Sequence, residues 1–396
     1  MGDDRPRRRA ALENDARILR AAVEMIDEVG VDRITTVGVA KRAGLTTGAM
    51  YARYEHQDEL LADVWQRVGV DAVKALVDAA VRASRTHGAD AGDLVRLLEE
   101  HPAELRVAVE LLAVSRRVDE LADVARMDVI AMLDEYGLTS ATLRHDVSAV
   151  MDLGMVTLAL GCVLGSHVVA SSSIAVADAV PRLSAAPRVA DDGSQPSWSG
   201  PAPSMPPQVA PDDDPVLTAL VQASQTVIAR VGVHRATLSS IGRVARVVPT
   251  LVYSRYENRD ELMSDVLRRV QTTVVSARTQ AALYHGVSMM STTMVLWSSP
   301  EMTITRRFRR EVLIATRREP QWQAIAASVE GEAQLAAAEL LGARHGSYRG
   351  ALAMQCVGSL GSEGTSLLQE LGVDMTGVDW TPLAERLVGF ARSWQD

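Results

Sequence analysis

Apolar residues recur along the first half of the chain at intervals of three and four, and no strand-like alternation interrupts them. Ile18, Ala22, Met25, Ile26 and Val29 share one face of a helix expected over 13–29, which Gly30 ends. Thr35 follows as an N-cap residue, its hydroxyl able to accept a bond from a free N–H of the next turn, ahead of a short stripe of Val39, Ala40 and Ala43. Gly44 stands where a chain can turn through the left-handed region, and Thr46 is placed to cap a second short helix over 47–54. Two short helices joined by a three-to-four-residue turn make a helix-turn-helix. Asp58 is placed to cap the next helix, whose face of Leu60, Leu61, Val64 and Val68 continues through Val73, Leu76 and Val77. Further amphipathic helices are expected over 93–100, 103–117, 119–136 and 139–169, so the fold class is all-α.

The pattern is lost between 184 and 214, a stretch rich in Pro, Ser, Ala and Asp that cannot sustain a helix. As a flexible linker it would reach on the order of 30 Å, enough to join two folded halves lying side by side. Beyond it the first half begins again without a gap. Gly30 falls on Gly232, Thr35 on Thr237, Ala43 on Ala245, Tyr51 on Tyr253, Arg53 on Arg255, Tyr54 on Tyr256, and Asp58-Glu59-Leu60 on Asp260-Glu261-Leu262. Farther on, ELLAVSRR over 110–117 is repeated as EVLIATRR over 311–318. Each half repeats a whole small protein, not the short period of a solenoid.

Chemistry enters at the start of the second motif helix. Thr47, Gly48 and Tyr51 offer a short hydroxyl, a position without a side chain, and a phenol one turn on, types suited to close approach to base edges while the helix N-terminus faces phosphate. The net charge of −9 is unusual for such a role, but positive charge clusters where it would be used. Lys41, Arg42 and Arg53 lie in or beside the motif, and Arg5, Arg7, Arg8 and Arg9 precede the first helix. That arginine run reads either as a solvated tail or as an arm reaching phosphate or the minor groove.

Gly30, Thr35, the run Ala40-Lys41-Arg42-Ala43-Gly44-Leu45, Gly48, Tyr51, Tyr54 and Asp58-Glu59-Leu60 together resemble the N-terminal DNA-binding domain of the TetR family of transcriptional regulators, over about residues 16–68. The resemblance implies a homodimeric, all-helical repressor whose C-terminal domain carries a ligand pocket and a helical dimer interface; two such units in one chain look like a covalently joined dimer. It places Thr35, Thr46, Thr47, Gly48 and Tyr51 at phosphates or bases, and Tyr54 beneath the recognition helix. Two positions depart from the family pattern: Val37 replaces a basic or polar contact residue, and Gln57 replaces a lysine.

The second copy departs further. Arg246 stands at the turn glycine, Val248 at the capping threonine and Thr250 at Gly48, which leads us to expect a less well formed or differently turned motif. It keeps Thr237, Tyr253 and Arg255, gains Arg259 at the lysine position, and has Pro249 and Thr250 opening its second helix. The implied organisation is a basic arm (1–10), a first DNA-binding domain (11–57), a first helical regulatory domain (58–183), a linker (184–214), a divergent second DNA-binding domain (215–259) and a second regulatory domain (260–396).

The expected partners are a double-stranded DNA operator and an apolar small-molecule effector, with no membrane, the chain acting as an internal pseudo-dimer or, alternatively, as a homodimer. Candidate pocket residues are Met127, Met132, Tyr136 and Met155 in the first half and Met289, Met290, Met294, Trp297, Met302 and Trp322 in the second, although residues of these types at helical spacing are often plain core. Leu153–Ala177 lacks Asp, Glu, Lys and Arg, but its glycines and serines and its missing aromatic flanks favour a buried helical interface over a membrane span. Cys162 and Cys356, both in apolar surroundings, read as small buried hydrophobes in a reducing, cytoplasmic setting, and no apolar leader follows the charged start. No cofactor, metal site or catalytic residue is expected: the eight histidines form no metal pair at i and i+4, and neither a phosphate loop nor GxSxG occurs. The competing reading is a ligand-binding or protein-interaction module whose second helix-turn-helix no longer reads DNA.

Overall fold

The computed structural model describes residues 5–169, 174–189, 214–270, 272, 294–295, 297–345 and 347–394, and every regular element among them is helical. The first helix, α1 (Arg5–Val29), starts earlier than its apolar face requires, so Arg5, Arg7, Arg8 and Arg9 stand on its opening turns and not on a separate arm. It is followed by α2 (Thr36–Arg42), α3 (Thr47–Tyr51) and α4 (Gln57–Val64). His56, not Asp58, holds the cap position of α4, and Asp58 lies in its first turn.

A π-helical turn, Trp65–Gly69, links α4 to α5 (Val70–Arg85). The indole of Trp65 is fully buried and donates to Asp128 Oδ2 at 2.8 Å, and a Cβ on Gly69 would come within 2.6 Å of its ring. The missing side chain at 69 is what lets the tryptophan fold back over its own helix.

Next come α6 (Gly92–Glu100), α7 (Ala103–Val114), a 3-10 turn Ser115–Arg117, α8 (Asp119–Glu135), α9 (Ser140–Leu143), α10 (Val147–Val169) and α11 (Val176–Ala185). The single helix expected over 139–169 is broken between α9 and α10, where the Asp146 carboxylate accepts from Ser148 N at 2.7 Å and restarts the chain. The opening of the expected linker is docked: Val189 N bonds Glu385 O at 3.2 Å, and Arg188 pairs with Glu385 at 2.7 Å. Its centre, 190–213, lies outside the described residues.

The second half runs α12 (Pro215–Val231), α13 (Leu238–Ala245), α14 (Pro249–Tyr253), α15 (259–270), a 3-10 turn Pro300–Met302, α16 (Thr303–Thr316), α17 (Pro320–His345), α18 (Tyr348–Glu370) and α19 (Thr381–Arg392). The core is built across both halves. The helix α10 is the one described helix long and apolar enough to cross a membrane, yet 89% of its apolar window is buried, against α18 above all. Small residues let these two backbones meet: a Cβ on Gly161 would sit 1.8 Å from Leu360 O, and one on Gly364 would sit 1.8 Å from Thr157 O. Cys162 is buried in this seam, and burial pushes its thiol up to about 12, so it stays protonated and inert.

Candidate nucleic-acid interface

In the first helix-turn-helix, Thr35 Oγ1 accepts from Gly38 N at 3.0 Å and Thr46 Oγ1 accepts from Ala49 N at 3.2 Å, so both hydroxyls are used in capping. Gly44 turns the chain with φ of +66°, and Leu45 N returns to Ala40 O at 2.9 Å. The guanidinium of Arg17 reaches in to donate to Gly44 O at 3.2 Å. Buried Met50 seats α3 on the core, which turns Thr47, Gly48 and Tyr51 outward. Tyr51 is 50% exposed while Tyr54 is 4% exposed, so one ring faces solvent and the other packs beneath the helix. Tyr54 Oη donates to Asp63 at 2.6 Å, and burial together with that carboxylate holds the phenol well above its ordinary range. Open space surrounds Gly48, so a ligand's backbone can approach α3 there.

The cations divide differently from expectation. Lys41 is exposed and forms no ion pair among the described residues. Arg42 is tied to Glu28 at 2.6 Å, Arg53 bonds Asp15 on α1, and Gln57 donates to Val31 O at 3.3 Å. Arg53 and Gln57 therefore brace the head from within, fastening the end of α3 and the start of α4 to α1 and the turn after it, instead of presenting free groups to phosphate. The sequence could not show this, because their partners lie on α1 and in the turn after it.

The second head is turned the same way, which corrects the expectation of a different turn. Arg246 occupies the left-handed region with φ of +57°, and Val247 N returns to Gly242 O at 2.9 Å, as Leu45 does to Ala40. Thr237 forms a full capping box with Ser240 at the start of α13, whereas α14 has no side-chain cap at Val248 and opens on Pro249. Thr250 and Tyr253 face outward, and buried Tyr256 donates to Asp265 at 2.6 Å. Arg255 is paired with Asp214 at 2.7 Å, and Arg259 donates to His234 O at 3.2 Å while lying over the Trp322 ring. Neither is a free phosphate contact. The outer face of this head is more apolar than the first, with Val244, Val248 and Leu251 all exposed.

Between the heads lies a set of ion pairs that the sequence reading missed. Arg318, at the end of α16, pairs with Glu110 at 2.7 Å and donates to Ile26 O and Asp27 O at the foot of α1. In return Arg117, at the end of α7, pairs with Glu311 at 2.9 Å and with Asp32 at 2.5 Å. Burial opposes charge on Arg117, but Glu311 and Asp32 more than offset it and raise its pKa. Arg33 pairs with Glu319 at 2.6 Å. The signal was present in ELLAVSRR and EVLIATRR, where glutamate and arginine keep one spacing.

The proposed pocket residues do not converge. Met127 is 59% exposed on α8, Met155 and Met132 are core, and Tyr136 is half-buried with the Arg85 guanidinium over its ring. Trp297, Met302 and Trp322 are packed in the core of the second half, Met294 is partly buried against that of the first, and Met289 and Met290 lie outside the described residues. Nor is the second half's interior uniformly apolar: Arg306, Arg309 and Arg310 occupy the positions of Leu105, Ala108 and Val109, and Arg309 bonds buried Glu363 at 2.7 Å. Among the described residues, open clefts occur at the junctions of heads and bodies. One of about 600 Å³ is lined by Arg117 and residues of α12 and α13, and one of about 560 Å³ by Asp27, His101, Arg106 and His167 among others.

No curated protein matches the chain. Residues 18–64, from the middle of α1 to the end of α4, match the family model described as bacterial regulatory proteins, tetR family. With Thr47, Gly48 and Tyr51 displayed on a capped helix inside that span, the match supports a DNA-binding transcription regulator of the TetR type.

Proposed function

We propose that the chain is a ligand-responsive repressor in which two TetR-like units are fused, acting as a single-chain pseudo-dimer on an asymmetric or imperfectly palindromic operator. The observation that carries this reading is α3, which displays Thr47, Gly48 and Tyr51 above a buried Tyr54 inside the matched span. The fusion is supported by the second head, where the left-handed turn, the exposed Tyr253 and the Tyr256–Asp265 bond recur, and by the reciprocal pairs Arg318–Glu110 and Arg117–Glu311. Two such heads would enter successive major grooves about 34–36 Å apart, with linkage raising the effective concentration of the second to roughly the millimolar range. The recognition helices differ, TTGAMYAR against VPTLVYSR, and so should the half-sites they prefer.

Selection of bound duplexes from a random pool tests the reading: an enriched site with two unlike halves is the expected result. A perfect palindrome of either half binding best in gel shift sinks the asymmetric pseudo-dimer, and no enrichment at all sinks the regulator. Affinity should fall steeply with salt. A second reading draws on exposed Val244, Val248 and Leu251, which favour a protein-facing second head. A site with a single half, bound equally well by the full chain when Thr250 and Tyr253 are replaced by alanine, would support it.

A further inference from the structure

We propose that the cleft between the second head and the first body is a binding site for a small amphipathic organic anion, a carboxylate or phosphate ester with an apolar body. The cleft, of about 600 Å³, lies in the size range of small-molecule sites. Every charged side chain lining it is an arginine: Arg117, Arg230, Arg235 and Arg243. Arg117 is neutralised by Asp32 and Glu311, and Arg235 leans on the same Asp32 at 3.5 Å. Arg230 and Arg243 meet no carboxylate within ion-pair distance among the described residues, in a chain whose net charge is −9. Between them Val227, Val231 and Val244 give apolar walls, while the Thr226 and Ser240 side chains add polar edges. Paired arginine forks over an apolar floor suit a planar anionic head on a hydrophobic body.

The same face of the first head makes the point by contrast. Glu24 and Glu28 stand there at the positions of Thr226 and Arg230, and they neutralise Arg42 at 4.0 and 2.6 Å. The first head thus answers Arg42 internally and leaves Lys41 open, whereas in the second head Arg230 replaces the answering glutamate and stands open beside Arg243. An anion seated in the cleft would touch α12 and α13 of the second head together with Arg117 of the first body, and so would hold that head in one position. That regulatory consequence rests on the reading of the chain as a DNA-binding repressor; the binding itself does not.

Isothermal titration of the full chain with 1-naphthoate and with phenyl phosphate tests the site, with the uncharged 1-naphthalenemethanol as control. The expected result is one site per chain for either anion and none for the alcohol. R230E and R243E should each weaken binding by at least about tenfold, the loss expected for one charge-assisted hydrogen bond. R96E, on α6 and remote from the cleft, should leave it unchanged. Circular dichroism melting of each variant, with R230Q as a milder companion, separates loss of the site from loss of the fold. Failure of both anions to bind, equal binding of the alcohol, or R230E and R243E binding like the parent chain overturns the proposal. So does weaker binding of random duplex DNA by those variants with neither anion bound, which would assign the arginines to a DNA backbone. DNA selection with the parent chain judges the repressor reading separately.

Discussion

Replacing Gly161 by alanine is the sharpest test of the seam between α10 and α18. The added carbon would lie 1.8 Å from Leu360 O, whereas even a close carbon–oxygen contact needs about 3.3 Å. The obstacle is backbone within a helix, so no rotamer relieves it, and the helices must part by roughly an ångström or more. A gap of that size forfeits a quarter to a half of each facing dispersion contact along the seam. Overpacking of this kind costs about 3 kcal/mol, against a gain of about 1 kcal/mol from alanine's better helix propensity. The net expectation for G161A is a loss of about 2 kcal/mol or more. G364A, blocked by Thr157 O at 1.8 Å, should behave alike. G358A meets nothing within 4 Å and should be neutral or stabilising by up to about 1 kcal/mol. Urea unfolding followed by circular dichroism reads all three as midpoint shifts at unchanged slope. If G161A and G358A unfold at the same urea concentration, the close approach of the two backbones is not what holds this seam.

Four further outcomes follow from particular residues. Arg246→Gly should raise stability by about 1 kcal/mol, because glycine adopts the positive φ without the Cβ cost, and a lower melting temperature would count against that strain. Glu110→Gln keeps an acceptor for Val31 N but removes the charge facing Arg318; a loss of about 2 kcal/mol in urea is expected, and no change would mean the pair contributes nothing. His167 is lowered to about 4 by burial and by Arg317, so it stays neutral in the fold while an unfolded imidazole would protonate near 6.5. Stability should therefore fall as pH drops from about 6.5 towards 4, by at most about 3 kcal/mol, and His167→Gln should flatten that slope. Tyr51→Ala should weaken binding to the selected DNA while leaving the melting curve within about 0.5 kcal/mol of the parent, since half of the ring is already exposed.

Helices and caps were legible because they are local. The Thr35 and Thr46 bonds, the left-handed Gly44 and the exposure of Tyr51 above a buried Tyr54 all follow from spacing within a few residues. What the sequence could not show depended on distant partners. Arg53, Arg255 and Arg259 look like phosphate contacts until Asp15, Asp214 and Trp322 are seen beside them. The methionines and tryptophans read as candidate pocket linings in each half because composition carries no direction, and Met127 proves to face solvent. Arg246 misled in the opposite sense: the neighbouring bonds, the Thr237–Ser240 box and Val247 N to Gly242 O, are strong enough to hold a non-glycine residue in the conformation it disfavours.

The arginines that cross between the halves, Arg117 and Arg318, sit at like positions but belong to a single polypeptide. In an assembly of identical subunits every mutation arrives twice, and a charge that improves one side must be tolerated on the other. In two units fused as proposed, inheritance is uncoupled. On that fused-unit reading, Glu28 is kept where it balances Arg42 while Arg230 stands at the corresponding position, and the two heads can take on different tasks.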